Sequence, residues 1–224
     1  MAPFHPRVDD LPAEFPVFPL TGALLLPRGK LPLNIFEPRY LAMTDAALAG
    51  GRMFAMIQPD ATRPPLQGGP ALFTVGCLGR LTSFSETDDG RYLITLFGLI
   101  RFSIVTELPI RHGYRRVRAD FSDYLADLEP PPSPPLIGVA RDAVLAALRS
   151  YFAHRGFDAN WDAIGRMPDD TLVTTLCMVC PFEPAEKQAL LEAATDEDRG
   201  TILLTLLEMG AADDGERRPG RAVS

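Results

Sequence analysis

A run of prolines, Glu129-Pro130-Pro131-Pro132-Ser133-Pro134-Pro135, limits this chain more than any other feature. Proline fixes φ and has no amide to donate, so neither a helix nor a central strand passes through such a run. The segment reads as a stiff, extended connector, and the chain must fold on either side of it. Residue character changes across it. Before it, Gly and Pro punctuate short apolar runs; after it, apolar residues recur at helical spacing. This predicts a β-rich part with one helix over residues 1–128, the connector over 129–135, a helical part over 136–210, and a polar, disordered tail over 211–224.

In the first part, residues 31–36 and 53–57 are apolar runs of strand length. Between them, 38–49 reads as a helix. Proline is tolerated in its first turn, Tyr40, Leu41, Thr44 and Leu48 share a face, and Gly50-Gly51 ends it. Further strands are expected at 72–85, 91–97, 99–105 and 114–121, the second joined to the first through the turn Asp88-Asp89-Gly90. Closely spaced strands with hairpin signals predict a small, mostly antiparallel barrel or sandwich, and an α+β fold for the whole. In the second part, Val139, Val144, Leu145, Leu148 and Phe152 form one stripe of a helix over 136–154. Helices over 158–166, with Asp158 as N-cap, and over 170–180, 184–194 and 197–209 complete the expected set.

Composition removes several functions. With 224 residues and 46% hydrophobic content, the chain can bury a core without disulfide or metal staples. A net charge of −7 argues against a dedicated nucleic-acid binder. The longest apolar stretch, around 202–207, is too short to cross a bilayer, and residues 1–6 carry no secretory signal. Three cysteines fit a reducing compartment, so a cytoplasmic location is expected.

Motifs for catalysis fail in turn. Gly29-Lys30 lacks the glycine spacing and the following Ser or Thr of a phosphate loop, and no glycine-rich dinucleotide fingerprint follows a strand. Gly76 and Gly79 instead mark a bulge or a close backbone approach. In Cys177-Met178-Val179-Cys180 the pair sits at the C-terminal end of its expected helix, where the dipole disfavours a thiolate, so core packing is the expected role. There is no G-x-S-x-G elbow and no H-E-x-x-H helix. The three histidines, His5, His112 and His154, are scattered, and nothing local pairs a serine with Lys30 or Lys187. No catalytic residue, metal ligand or cofactor is expected. Arg111, Arg115, Arg116 and Arg118 form the one basic cluster. On that strand Arg116 and Arg118 take one face and Val117, Ala119 and Phe121 the other, and a charged edge strand is favoured there over a nucleic-acid surface.

The segment Pro32-Leu33-Asn34-Ile35-Phe36-Glu37-Pro38-Arg39-Tyr40 resembles the signature P-L-x-I-F-E-P-R-Y of the Lon protease N-terminal, substrate-binding domain. Val75 to Leu81 and Leu96 to Phe102 are similar to two later glycine-bearing strands of that family, and Glu186 to Glu192 to its late helix. The resemblance spans about residues 15–209. It implies a PUA-like β pseudo-barrel followed by a helical subdomain, acting as a stand-alone binding module without the ATPase and protease modules that follow this domain in Lon. It also implies recognition of unfolded or misfolded polypeptides, protease or chaperone components as partners, and a part in homo-oligomer assembly.

The expected binding residues are Phe36, Glu37, Arg39 and Tyr40, with Arg80 and Arg101 from the two glycine-bearing strands. A structural role competes at each. Glu37 can accept amides at the start of the helix, Pro38 can fix the turn, and Arg39 can pair with a carboxylate. The leading function is therefore a non-catalytic polypeptide-binding adaptor. A hydrolase with an unrecognised site and a PUA-like RNA binder are the alternatives.

Overall fold

The computed structural model describes residues 6–66, 68–130 and 139–212. His5, most of the expected connector and residues 213–224 of the expected tail lie outside them. The chain separates into two compact units, 1–131 with 183–191, and 132–182 with 192–224.

The first unit is built on a six-stranded sheet: β1 (Glu14–Pro19), β2 (Lys30–Ile35), β3 (Met53–Ile57), β4 (Val75–Glu86), β5 (Tyr92–Arg111) and β6 (Tyr114–Asp120). Their order is β2-β5-β4-β3-β1-β6, and β6 pairs again with β5. Five strands therefore close into a barrel, with β2 added alongside the first half of β5. Only the β1–β3 pair is parallel, joining Val17 to Ala55, and the remaining pairs are antiparallel. The α+β class with a β-rich barrel first is the fold that the sequence predicts.

Three departures have physical causes. Strand β1 was not expected; its two prolines, Pro16 and Pro19, suppress the strand signal, yet Phe15 and Val17 are buried in the core. The expected pair 91–97 and 99–105 is one strand, β5. Gly98 does not break it: the residue lies under a crossing loop, with its N–H on the Gly29 carbonyl (2.9 Å) and its carbonyl accepting from Arg28 N–H (2.8 Å). A Cβ at Gly98 would lie 1.9 Å from the Leu26 carbonyl oxygen, so only glycine fits. Finally, β6 is not an edge strand, because β1 and β5 flank it.

Helix α1 (Pro38–Ala49) spans the expected residues, with Pro38 in its first turn and Gly50 as its C-cap. Tyr40, Met43, Thr44 and Ala47 are its buried face. The barrel core gathers Phe15, Val17, Ile57, Leu78, Ile100, Phe102 and Val117. Phe15 and Phe102 meet edge to face at 5.0 Å, a favoured ring geometry.

The second unit holds α2 (Arg141–Arg155), α3 (Trp161–Gly165), α4 (Asp169–Val179) and α6 (Asp196–Ala212). Val144, Leu148 and Tyr151 are the buried stripe of α2; Leu145 and Phe152 are only half-buried. Asn160 caps α3 by accepting from Ala163 N–H at 3.0 Å, whereas Asp158, the expected cap, accepts from the adjacent Ala159 N–H. Helix α5 (Pro184–Glu192) belongs to the first unit, not with the other helices. There Lys187 Nζ donates to the Gly22 carbonyl (2.6 Å) and Gln188 Nε2 to the Val75 carbonyl (3.1 Å).

Candidate functional site

Glu37 is the N-cap of α1 by backbone geometry, its carbonyl accepting from Tyr40 and Leu41 N–H at 2.9 and 3.0 Å. Its side chain caps nothing. The carboxylate instead binds Arg39, at 3.0 Å to Nε and 2.8 Å to Nη2, with both side chains about half exposed. Arg39 also lies over the Tyr40 ring, 4.6 Å from its centroid. Tyr40 itself is buried, its ring 4.1 Å from that of Phe18. Burial pushes the Tyr40 phenol pKa above its ordinary value; the positive charge of Arg39 opposes, Glu37 adds to the rise, and Arg115 opposes.

Beside this turn opens a pocket of about 320 Å³. Arg39 and Tyr40 form one wall, Tyr114 and Arg115 of β6 another, and Pro19, Pro59 and Pro70 supply apolar surface from the end of β1 and two loops. The β5–β6 hairpin reaches it through a two-residue turn in which His112 (φ 48°) and Gly113 (φ 82°) both take positive φ, as the twist of a tight hairpin requires. Gly113 lies against Arg39, where a Cβ would come within 3.1 Å of Arg39 Cβ. Arg115 is buried and fixes the opposite rim. Its guanidinium holds both Glu107 carboxylate oxygens (2.7 Å each from Nη2) and donates to the Pro70 carbonyl (2.6 Å).

Of the residues expected to bind, Arg39 and Tyr40 line this pocket, and Glu37 stands behind Arg39. Phe36 is exposed and turned to Arg91, whose guanidinium lies 5.8 Å from its ring. Arg80 is half-buried on β4, away from the pocket lining. Arg101 is buried and committed elsewhere. Its Nε and Nη2 each meet Asp127 at 2.9 Å, and its Nη1 donates to the Leu191 carbonyl at 3.2 Å. Burial works to lower the Arg101 pKa, but the bonds and charge of Asp127 outweigh it, and the net direction is up.

Sequence reasoning missed Tyr114 and the role of Arg115. Strand alternation offered a signal, since Arg115 lies on the same face as Val117, which is fully buried. Arg116 and Arg118 both pair with Glu14 on the neighbouring strand. Cys177 and Cys180 are buried, and burial pushes the Cys177 thiol up to about 12, against the pull of Arg199. Among the described residues, no group of three or more His, Cys, Asp and Glu side chains gathers as a metal site, and no helix is long and apolar enough to cross a membrane.

The family model of the ATP-dependent protease La (LON) substrate-binding domain matches residues 14–209. A Lon protease of Desulfosudis oleivorans is 29% identical over 94 residues, which are 42% of this chain and 12% of that protein. Lon protease 2 of Myxococcus xanthus is 25% identical over 112 residues, 50% of this chain and 13% of that protein. The chain thus spans a small part of the length of the curated relatives it matches. Among solved structures, a Lon N-terminal domain protein from Xanthomonas campestris superposes with a TM-score of 0.56 at 21% identity, covering 86% of this chain and 97% of that one. The N-terminal domain of a Mycobacterium avium complex Lon protease gives 0.54 at 19%, covering 89% and 98%. At these identities the likeness is one of fold.

Proposed function

We propose that this chain, which belongs to the ATP-dependent protease La (LON) substrate-binding domain family, is a non-catalytic module that binds polypeptide segments. The observation that carries the reading is the family match across residues 14–209. The pocket beside α1 supports it physically. A concave site with apolar walls and a few polar anchors holds a peptide group without any chemistry on it. On this reading the protein is a cytoplasmic adaptor that presents unfolded or misfolded chains to a protease or chaperone, and it associates with copies of itself.

The RNA-binding alternative loses ground at its own residues. Arg115 is buried on Glu107 and the Pro70 carbonyl and is withdrawn from any surface a nucleic-acid backbone could track, and Arg116 and Arg118 share the one carboxylate of Glu14. The test is fluorescence anisotropy of labelled, chemically unfolded proteins titrated with the full chain, without nucleotide. Saturable binding at micromolar concentrations is expected. No binding across several unrelated unfolded proteins would overturn the reading.

A further inference from the structure

We propose that the pocket beside α1 holds the C-terminal residue of a bound polypeptide, with the free carboxylate on Arg39 and the hydroxyls of Tyr40 and Tyr114. The side chain of that residue lies against the surface of Pro19, Pro59 and Pro70. This rests on the polypeptide-binding reading and narrows it to one chain end.

Tyr40 and Tyr114 both line the pocket and are 6% and 2% exposed. Neither hydroxyl hydrogen-bonds to another group among the described residues, and neither is sealed from solvent. Each phenol oxygen is therefore free to bond whatever fills the pocket, water or a ligand. The pocket is the opening both side chains share. Arg39 adds a half-exposed guanidinium to the same wall, and the charge of Arg115 also reaches the Tyr40 phenol.

Among the described residues no carboxylate lines the pocket, and the polar side chains that do, Thr21, Arg39, Tyr40, Tyr114 and Arg115, all carry donors. Two hydroxyls and a guanidinium suit a carboxylate, which only accepts. Pocket size agrees with a single residue. The volume, about 320 Å³, is at the small end of ligand sites.

Glu37 is a built-in competitor. Its pair with Arg39 is solvent-exposed, and exposed pairs are weak enough to exchange for an incoming carboxylate.

The probes are acetyl-trialanyl-leucine as the free acid, the same peptide as its C-terminal amide, and N-acetyl-leucine, each titrated calorimetrically into the full chain. The acid is expected to bind at least about tenfold more tightly than the amide. Arg39→Ala and Tyr114→Phe should each weaken the acid by about tenfold, Tyr40→Phe giving a second hydroxyl deletion that keeps the ring packed. Glu37→Gln should tighten it severalfold. Equal binding of acid and amide overturns the proposal, as does an acid affinity unmoved by Arg39→Ala and by both Tyr→Phe changes. N-acetyl-leucine carries every contact assigned to the pocket and should keep most of the acid's affinity; failure of N-acetyl-leucine to bind while the peptide acid binds would overturn the single-residue assignment. An unfolded protein with an amidated C-terminus separates the two readings. If it binds while no free acid does, the carboxylate pocket fails alone; if nothing binds, both fail.

Discussion

At Cys177 the thiol lies buried in the last turns of α4, and burial holds its pKa at about 12 rather than 9.0. The fold therefore favours the protonated form. Its contribution to stability is complete below the ordinary thiol pKa and is lost as pH rises from about 9 toward 12. Unfolding by urea at about pH 8 and about pH 10.5 should show a loss of about 2 kcal/mol from this group, at ~1.4 kcal/mol per pH unit above 9. Cys177→Ala lowers stability at both pH values by leaving a small void, but it should remove that part of the pH slope. Equal slopes in the two proteins would show that the thiol is not the titrating group. Gly98 makes a different point at the same scale. A methyl group there meets the Leu26 carbonyl at 1.9 Å, and backbone cannot rotate away as a side chain can. Gly98→Ala should cost about 3 kcal/mol or more in thermal or denaturant unfolding. Gly90→Ala meets open space and should cost only the strain of its positive φ, about 1–2 kcal/mol. Similar losses at the two positions would refute the close-approach account of Gly98.

Between elements, the Arg101–Asp127 pair is a buried polar tie. It joins β5 to the 3-10 turn over Ser122–Leu128 and, through the Leu191 carbonyl, to the end of α5. Removing one partner leaves an uncompensated buried charge, so Asp127→Ala should cost about 3–5 kcal/mol in denaturant unfolding. A loss below about 1 kcal/mol would mean that water reaches Arg101 and solvates it. This pair also shows where the sequence was readable and where it was not. Helix α1 was legible to its ends because its stop and start signals, Pro38 and Gly50-Gly51, are local. The β4–β5 hairpin was legible for the same reason, through Gly90. Arg101 was not, since a glycine-bearing strand with an arginine looks alike whether the guanidinium faces a ligand or a carboxylate far along the chain. Splitting β5 at Gly98 and taking β6 as an edge share one cause: the loop that crosses Gly98 and the pairing that closes the barrel on β6 are both non-local facts. The candidate pocket divides along the same line. Arg39 and Tyr40 stood out in the signature, while Tyr114 and Arg115 reach them only after the sheet has closed.

At the scale of the whole molecule, the chain leaves the barrel unit near residue 131, builds part of the helical unit, and returns to give the barrel α5 before leaving again. A cut at the proline-rich run therefore separates the barrel from α5. Without α5, the barrel loses Lys187 from the Gly22 carbonyl, Gln188 from the Val75 carbonyl, and the Gln58 Nε2 bond to the Pro184 carbonyl at 3.0 Å. Each leaves a buried or part-buried polar group to be satisfied anew, and Leu190 and Leu191 lose their burial. Residues 1–130 expressed alone should therefore melt well below the full chain, with a broadened transition in near-ultraviolet circular dichroism. Joining residues 183–192 to that fragment by a flexible linker, long enough to leave the helix free to dock, should recover much of the lost cooperativity. Lys187→Ala in the joined protein should reduce the recovery, because the Gly22 carbonyl then lacks its donor. If the bare fragment melted sharply at the temperature of the full chain, α5 would be dispensable to the barrel. The physical boundary would then coincide with the prolines after all.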